Sequence, residues 1–182
     1  PGEAILTSQG AFLAYALCAQ AARVRTLETQ LSPELCFDLE DLAKTLKTSS
    51  EIIRLVFIAN PNNPTGTYVG RAEFENFMGS VESLSNILVV VDEAYFEFVR
   101  SPDRWSALEY LDRWPQIVCL RTMSKVYGLA GIRLGILFAQ PEIVDWLNRV
   151  RNPFNVNVVA QKGAIAAIHD QSYVRQVCSG TW

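Results

Sequence analysis

Residues 87–93, Ile-Leu-Val-Val-Val-Asp-Glu, form an unbroken apolar run that stops abruptly at two acids. A strand with one wet face alternates apolar and polar residues, so a run that is apolar at every position belongs to a strand covered on both sides. That is the condition of a mostly parallel sheet flanked by helices. Similar short runs occur at 4–7 (AILT), 24–28 (VRTLE), 54–60 (RLVFIAN), 117–120 (IVCL) and 133–139 (RLGILFA). Between them Leu39, Leu42, Ala43 and Leu46 recur at helical spacing, as do Phe74, Phe77, Met78 and Val81, and then Ile143, Trp146, Leu147 and Val150. Each set makes one apolar stripe on a helix. Pro141 suits the first turn of the third, where its missing N–H is no loss, and residues 156–170 also read as helical. The expected fold is α/β, a three-layer αβα sandwich around an open sheet.

Composition narrows the partners. With 182 residues, 49% of them hydrophobic, the chain can bury a sizeable core. A net charge of −3 with no basic stripe argues against nucleic acid and anionic membrane surfaces, leaving a small molecule as the expected ligand. No apolar run approaches the ~20 residues that span a bilayer. The four cysteines show no C-x-x-C spacing; Cys18 and Cys119 sit in apolar runs and read as small hydrophobes, so a reducing, cytoplasmic setting is expected. No G-x-G-x-x-G follows the first strand, which counts against dinucleotide binding.

In open parallel sheets the loops at the carboxyl ends of the strands converge on a ligand crevice. Three such loops are unusual here: "NPNNPTGT" after residue 59, "VDEAYFE" from residue 91 and "RTMSK" from residue 121. Of four lysines, Lys44, Lys47 and Lys162 lie in helical segments, whereas Lys125 follows a strand and precedes the small, apolar "VYGLAG". A lysine so placed is either a solvated strand end or an amine available for bonding to a carbonyl. Thr122, Ser124 and Arg133 offer hydroxyls and a guanidinium fork to a nearby phosphate. Asp92, beyond a strand of valines, requires a cationic or protonated partner, and Tyr95 can return a phenol to the same crevice. Glu93 and Glu97 are expected to face water. Pro61 and Pro64 stiffen a loop that presents Asn62 or Asn63 as an amide donor. Each loop alone reads equally as an ordinary turn. Together they offer an amine to a carbonyl, an amide and a phenol to a phenolic oxygen, a carboxylate to a ring nitrogen and a cradle to a phosphate, the functional groups of pyridoxal phosphate.

With "NPNNPTGT", "VVVDEAY" and "RTMSKVYGLAGIRLG" in this order, the chain resembles the class I/II aminotransferases of fold type I, and "RNPFNVN" (151–157) resembles their histidinol-phosphate branch. The resemblance implies a pyridoxal 5'-phosphate enzyme in which Lys125 bonds the cofactor, Asp92 pairs with its ring nitrogen, and Asn63 and Tyr95 hold its phenolic oxygen. Thr122, Ser124 and Arg133 would hold the phosphate. "TSQGAFLAY" resembles the segment whose aromatic residue covers the ring, which places Phe12 there, although a core aromatic opening a helix explains Phe12 as well. His169, the single histidine, is expected at the surface or in packing. The implied reaction is transamination of histidinol phosphate with 2-oxoglutarate. Small amino and keto acids would be the partners, with a homodimer or other self-association. The same resemblance implies a partial large domain at 1–152 and, at 153–182, an interdomain helix leading into a small domain. The fold is then incomplete: a first strand is expected before Pro1, its absence leaving open the edge of "RLGILFA". Another class I/II aminotransferase, a threonine-phosphate decarboxylase or a non-catalytic α/β module are the alternative readings.

Overall fold

The computed structural model describes residues 2–181; Pro1 and Trp182, the outer limits of the two expected domains, lie outside the described residues. Six strands form one sheet: β1 (Glu3–Ser8), β2 (Arg25–Thr29), β3 (Ile52–Ala59), β4 (Leu88–Asp92), β5 (Ile117–Thr122) and β6 (Gly135–Phe138). Their order is β2-β1-β3-β4-β5-β6, with every neighbouring pair parallel except the antiparallel β5 and β6. All six lie where the sequence places them.

Parallel neighbours need crossover connections, and here helices supply most of them. They are α1 (Ala14–Ala21), α2 (Leu39–Thr48) and α3 (Arg71–Val81), followed after the sheet by α4 (Pro141–Val150), α5 (Val158–His169) and α6 (Gln171–Gly180). Asp38 caps α2 by accepting from the Asp41 amide at 2.9 Å, and Asn157 caps α5 by accepting from Ala160 at 2.8 Å, each satisfying a donor left free by the first turn. Helix α1 was not among the periodic segments, because its buried face is reduced to Tyr15 and Ala19.

Strand β4 explains the layering. Val89 and Val91 join a large core with Leu39 and Leu42 of α2 and Phe74, Phe77 and Met78 of α3, while Val90 packs the other way, with Val118 and Ile143 of α4. Phe57, in register with Val90, meets Tyr15 of α1 on that second face, their rings stacked at 4.7 Å. Helices α2 and α3 therefore cover one side and α1 and α4 the other, the three expected layers. The β4–β5 connection closes the first face with aromatic residues: Trp105 stacks on Phe74 at 4.3 Å, and both are buried.

Two expectations fail here. Cys119 is fully buried, but Cys18 is exposed on the outer side of α1. Glu93 does not face water: it is 2% exposed, accepting from Ser106 Oγ at 2.9 Å, Ala107 N at 2.6 Å and Arg121 Nε at 2.7 Å. Glu97 is half-buried and accepts from the same guanidinium at 3.2 Å, while Arg121 lies 3.8 Å over the Phe96 ring. Strand alternation explains the error. Asp92 and Glu93 point to opposite sides, so the second acid of the pair turns into the β4–β5 connection, where Arg121 neutralises it. His169 is exposed, as expected.

Burial pushes the Glu93 carboxyl above its ordinary range, with Arg121 and the two further donors pulling against that shift. Arg121→Met removes the main opposing charge and leaves a buried acid without its ion-pair partner, so the unfolding free energy should fall by about 3 kcal/mol. In the variant the folded state binds more protons than the unfolded one, so stability declines as pH rises, and the deficit should be smaller near about pH 5 than at neutrality. Urea unfolding of both proteins at the two pH values measures this.

Candidate active site

Strand order reverses direction between β1 and β3, so the chain leaves their carboxyl ends in opposite senses and a crevice opens there. Into it comes the loop after β3. Asn60, 2% exposed, clamps that loop at both ends: its Oδ1 accepts from Val69 N at 2.8 Å and its Nδ2 donates to Val69 O at 3.2 Å. Asn62 is committed to the same scaffold, donating through Nδ2 to Gly10 O at 3.2 Å and Thr65 Oγ1 at 2.8 Å. Asn63 is the one that serves the crevice, its amide donating to the Tyr95 hydroxyl at 3.3 Å. Gly66 closes the turn with a φ of +73°, a conformation that costs a side-chain-bearing residue about 1 kcal/mol or more.

Strand β4 delivers Asp92. Its Oδ1 accepts from the Ala94 amide at 3.1 Å and its Oδ2 from the Tyr15 hydroxyl at 2.7 Å. The backbone then tightens so that Tyr95, three residues on, comes back to the same side. Strand β5 delivers the third group. Beyond Thr122 the Ser124 amide donates to Thr122 Oγ1 at 3.1 Å, the Lys125 carbonyl accepts from Gly128 at 2.9 Å, and the Lys125 ammonium rests 4.9 Å from the centroid of the Tyr95 ring. Lys125 is exposed, so the apolar enclosure that its flanking residues suggest is not its setting.

Phe12, Asn63, Asp92, Tyr95 and Lys125, drawn from four separate segments, line a single cleft together with Tyr15, Pro61 and Ala94. Phe12 is 45% exposed and meets Tyr15 edge-on at 5.9 Å. An adjoining hollow of about 530 Å³ shares Pro61, Asn63 and Tyr95 and runs on past Phe98 and Val99, large enough for a small molecule. Thr122, Ser124 and Arg133 stand apart from the cleft lining, on the β5 end and the following turn. Arg133 holds a left-handed φ of +56° and donates to Ala130 O at 2.9 Å, using one of its five donors among the described residues. That backbone region is costly for any residue with a Cβ and collects at functional positions.

Tyr15 was missed. Nothing local marks it, since a tyrosine in the first turn of a short helix is commonplace. Its role depends on Asp92, 77 residues away. Burial, with the Asp92 charge beside it, pushes the Tyr15 hydroxyl far above its ordinary range, so it stays a proton donor. Among the described residues no group of acids, cysteines and histidine is arranged to hold a metal, and no helix is long and apolar enough to cross a membrane.

In sequence and overall fold the chain resembles known proteins. The family model described as aminotransferase class I and II matches residues 1–180. A histidinol-phosphate aminotransferase of Bdellovibrio bacteriovorus is 44% identical over 180 residues, covering 97% of this chain and 48% of that protein. One from Anaeromyxobacter is 44% identical over 173 residues, covering 95% of this chain and 46% of that protein. The crystal structure of the histidinol-phosphate aminotransferase from Sinorhizobium meliloti, in complex with pyridoxal-5'-phosphate, superposes with a TM-score of 0.88 at 29% identity, covering 97% of this chain and 46% of that one. The chain thus spans about half the length of the relatives it matches. With a profile match along nearly all of its length and the fold of those relatives, this chain belongs to the class I and II aminotransferase family.

Proposed function

We propose that this chain provides the cofactor-binding part of a pyridoxal 5'-phosphate-dependent aminotransferase that acts on histidinol phosphate, with 2-oxoglutarate as the amino acceptor. The observation that carries the reading is the meeting of an amine, a carboxylate and an amide–phenol pair, from Lys125, Asp92, Asn63 and Tyr95, in one cleft. The donor set fits the cofactor. Each Asp92 oxygen accepts one hydrogen bond and keeps a lone pair for another donor.

When bound, pyridoxal phosphate supplies an aldehyde for amines and a ring that withdraws electrons from the adjacent carbon. Lys125 would hold the aldehyde carbon through its Nζ, and as a free amine the same Nζ would take the proton from the substrate Cα. Asp92 would face the ring nitrogen with its carboxylate. Asn63 and Tyr95 would donate to the phenolic oxygen, and Phe12 would lie against the ring. Thr122, Ser124 and the Arg133 guanidinium would hold the phosphate. The hollow beside Tyr95 gives a substrate side chain somewhere to lie. The names of the relatives, at about 40% identity and more, support histidinol phosphate over other amino donors.

The division at residue 152 follows the same reading: 1–152 as part of the cofactor-binding domain, with α5 and α6 leading toward a small domain. The outer edge of β6 completes no pairing among the described residues. An open edge is a template for another strand, so self-association is proposed through it, and the assembled protein would work in the cytoplasm on small amino and keto acids. Light scattering should show a dimer or larger species; a strictly monomeric chain counts against this use of the edge.

The cofactor reading has a direct test. Pyridoxal phosphate added to the chain should produce a visible absorbance band that sodium borohydride fixes covalently to the protein, and Lys125→Ala should abolish both the band and the labelling. Asn63→Ala should keep the band while weakening cofactor affinity by about tenfold, the loss of one hydrogen bond to a charged oxygen. No band in the unaltered chain would favour a non-catalytic module.

A further inference from the structure

The cleft contains one group that the transamination roles do not use. Tyr15 is 7% exposed, its hydroxyl donates to Asp92 Oδ2 at 2.7 Å, and its ring stacks on Phe57 at 4.7 Å with an interplanar angle of 19°. Phe57 belongs to β3, so the tyrosine is fixed from behind by the sheet. From the front, Phe12 meets the same ring at 88°, three residues earlier in the chain. Among the described residues Asp92 has one other hydrogen bond, from the Ala94 amide to Oδ1. That bond comes from its own turn and cannot by itself fix the carboxylate against rotation about the side-chain bonds. The Tyr15 contact is the long-range one.

We propose that Tyr15 is a positioning residue, which orients the Asp92 carboxylate toward the ring nitrogen of the cofactor and at the same time sets the Phe12 ring over the face of that ring. The inference rests on the cofactor reading of the cleft. Its chemistry is simple: the buried hydroxyl donates one fixed hydrogen bond to Oδ2 and leaves the remaining lone pairs of the carboxylate for another donor. Through α1, the same residue ties the β1–β2 crossover to the end of β4. The first turn of α1 and the acid of β4 are thereby held as one unit although β3 separates their strands.

The test separates orientation of Asp92 from general packing. Tyr15→Phe keeps the ring that stacks on Phe57 and removes the hydroxyl alone. Two probes are titrated by absorbance into the unaltered chain and the variant: pyridoxal phosphate, and its carbocyclic analogue with C–H in place of the ring nitrogen. Both can bond Lys125; only the first offers Asp92 a partner. Tyr15→Phe should weaken pyridoxal phosphate binding on the order of tenfold, the usual effect of losing a hydrogen bond to a charged group. Analogue binding should change little, so the preference for the natural cofactor falls by about the same factor. An equal loss for both probes would make Tyr15 a packing residue and overturn the proposal, as would no loss for either. If neither probe gives a Lys125-dependent band with the unaltered chain, it is the cofactor reading that fails.

Discussion

Two strands that run parallel cannot be joined by a hairpin, and the rest of this structure depends on that constraint. Each crossover from β1 through β5 must travel back along a face of the sheet, so the faces become covered and the strands become apolar on both sides. In β4, covered on both sides, every position up to Asp92 is apolar. Because the five strands point the same way, all their carboxyl ends open on one edge, and the reversal of strand order between β1 and β3 parts the loops there. The cleft is a consequence of connectivity before it is a consequence of any particular residue.

The Asp92-Glu93 pair shows how finely that geometry sorts chemistry. Two adjacent acids leave one strand end, and the alternation of side chains sends one into the cleft and the other into a buried ion pair with Arg121. Glu93 is surrounded by donors and takes no part in the cleft; it anchors the β4–β5 connection to β5. Asp92 keeps unfilled lone pairs. Neighbouring residues of the same type thus hold different offices because they face different sides of the sheet. The turn after β3 separates Asn62 from Asn63 in another way: the first is spent on Gly10 and Thr65, the second reaches Tyr95.

The site couples these strand ends sideways as well. The Lys125 ammonium lies against the Tyr95 ring, Asn63 donates to the hydroxyl of that ring, and Tyr15 bridges α1 to Asp92. Such contacts join the ends of β1, β3, β4 and β5 without any covalent link. Lys125 is exposed, its ammonium resting against an aromatic face rather than enclosed.

Much of this was legible in the chain itself. Double-sided apolar runs and helical stripes declare the α/β class and place all six strands, because burial on one or both sides leaves a periodicity that any reader can count. The lysine, the acid, the tyrosine and the Asn-Pro-Thr-Gly turn are legible for a different reason: residues with demanding chemistry stand out where a strand meets its loop. Helix α1 left too short a stripe to be read, and Cys18 shows that an apolar run need not be buried. What only the tertiary structure decided was partnership. Whether Glu93 meets water or Arg121, whether Asn62 or Asn63 serves the cleft, and whether a tyrosine at position 15 finds an aspartate 77 residues later depend on which strand lies beside which. Periodicity records how each segment is buried; it carries no record of the neighbour against which burial occurs, and hydrogen-bond partners are a property of that neighbour.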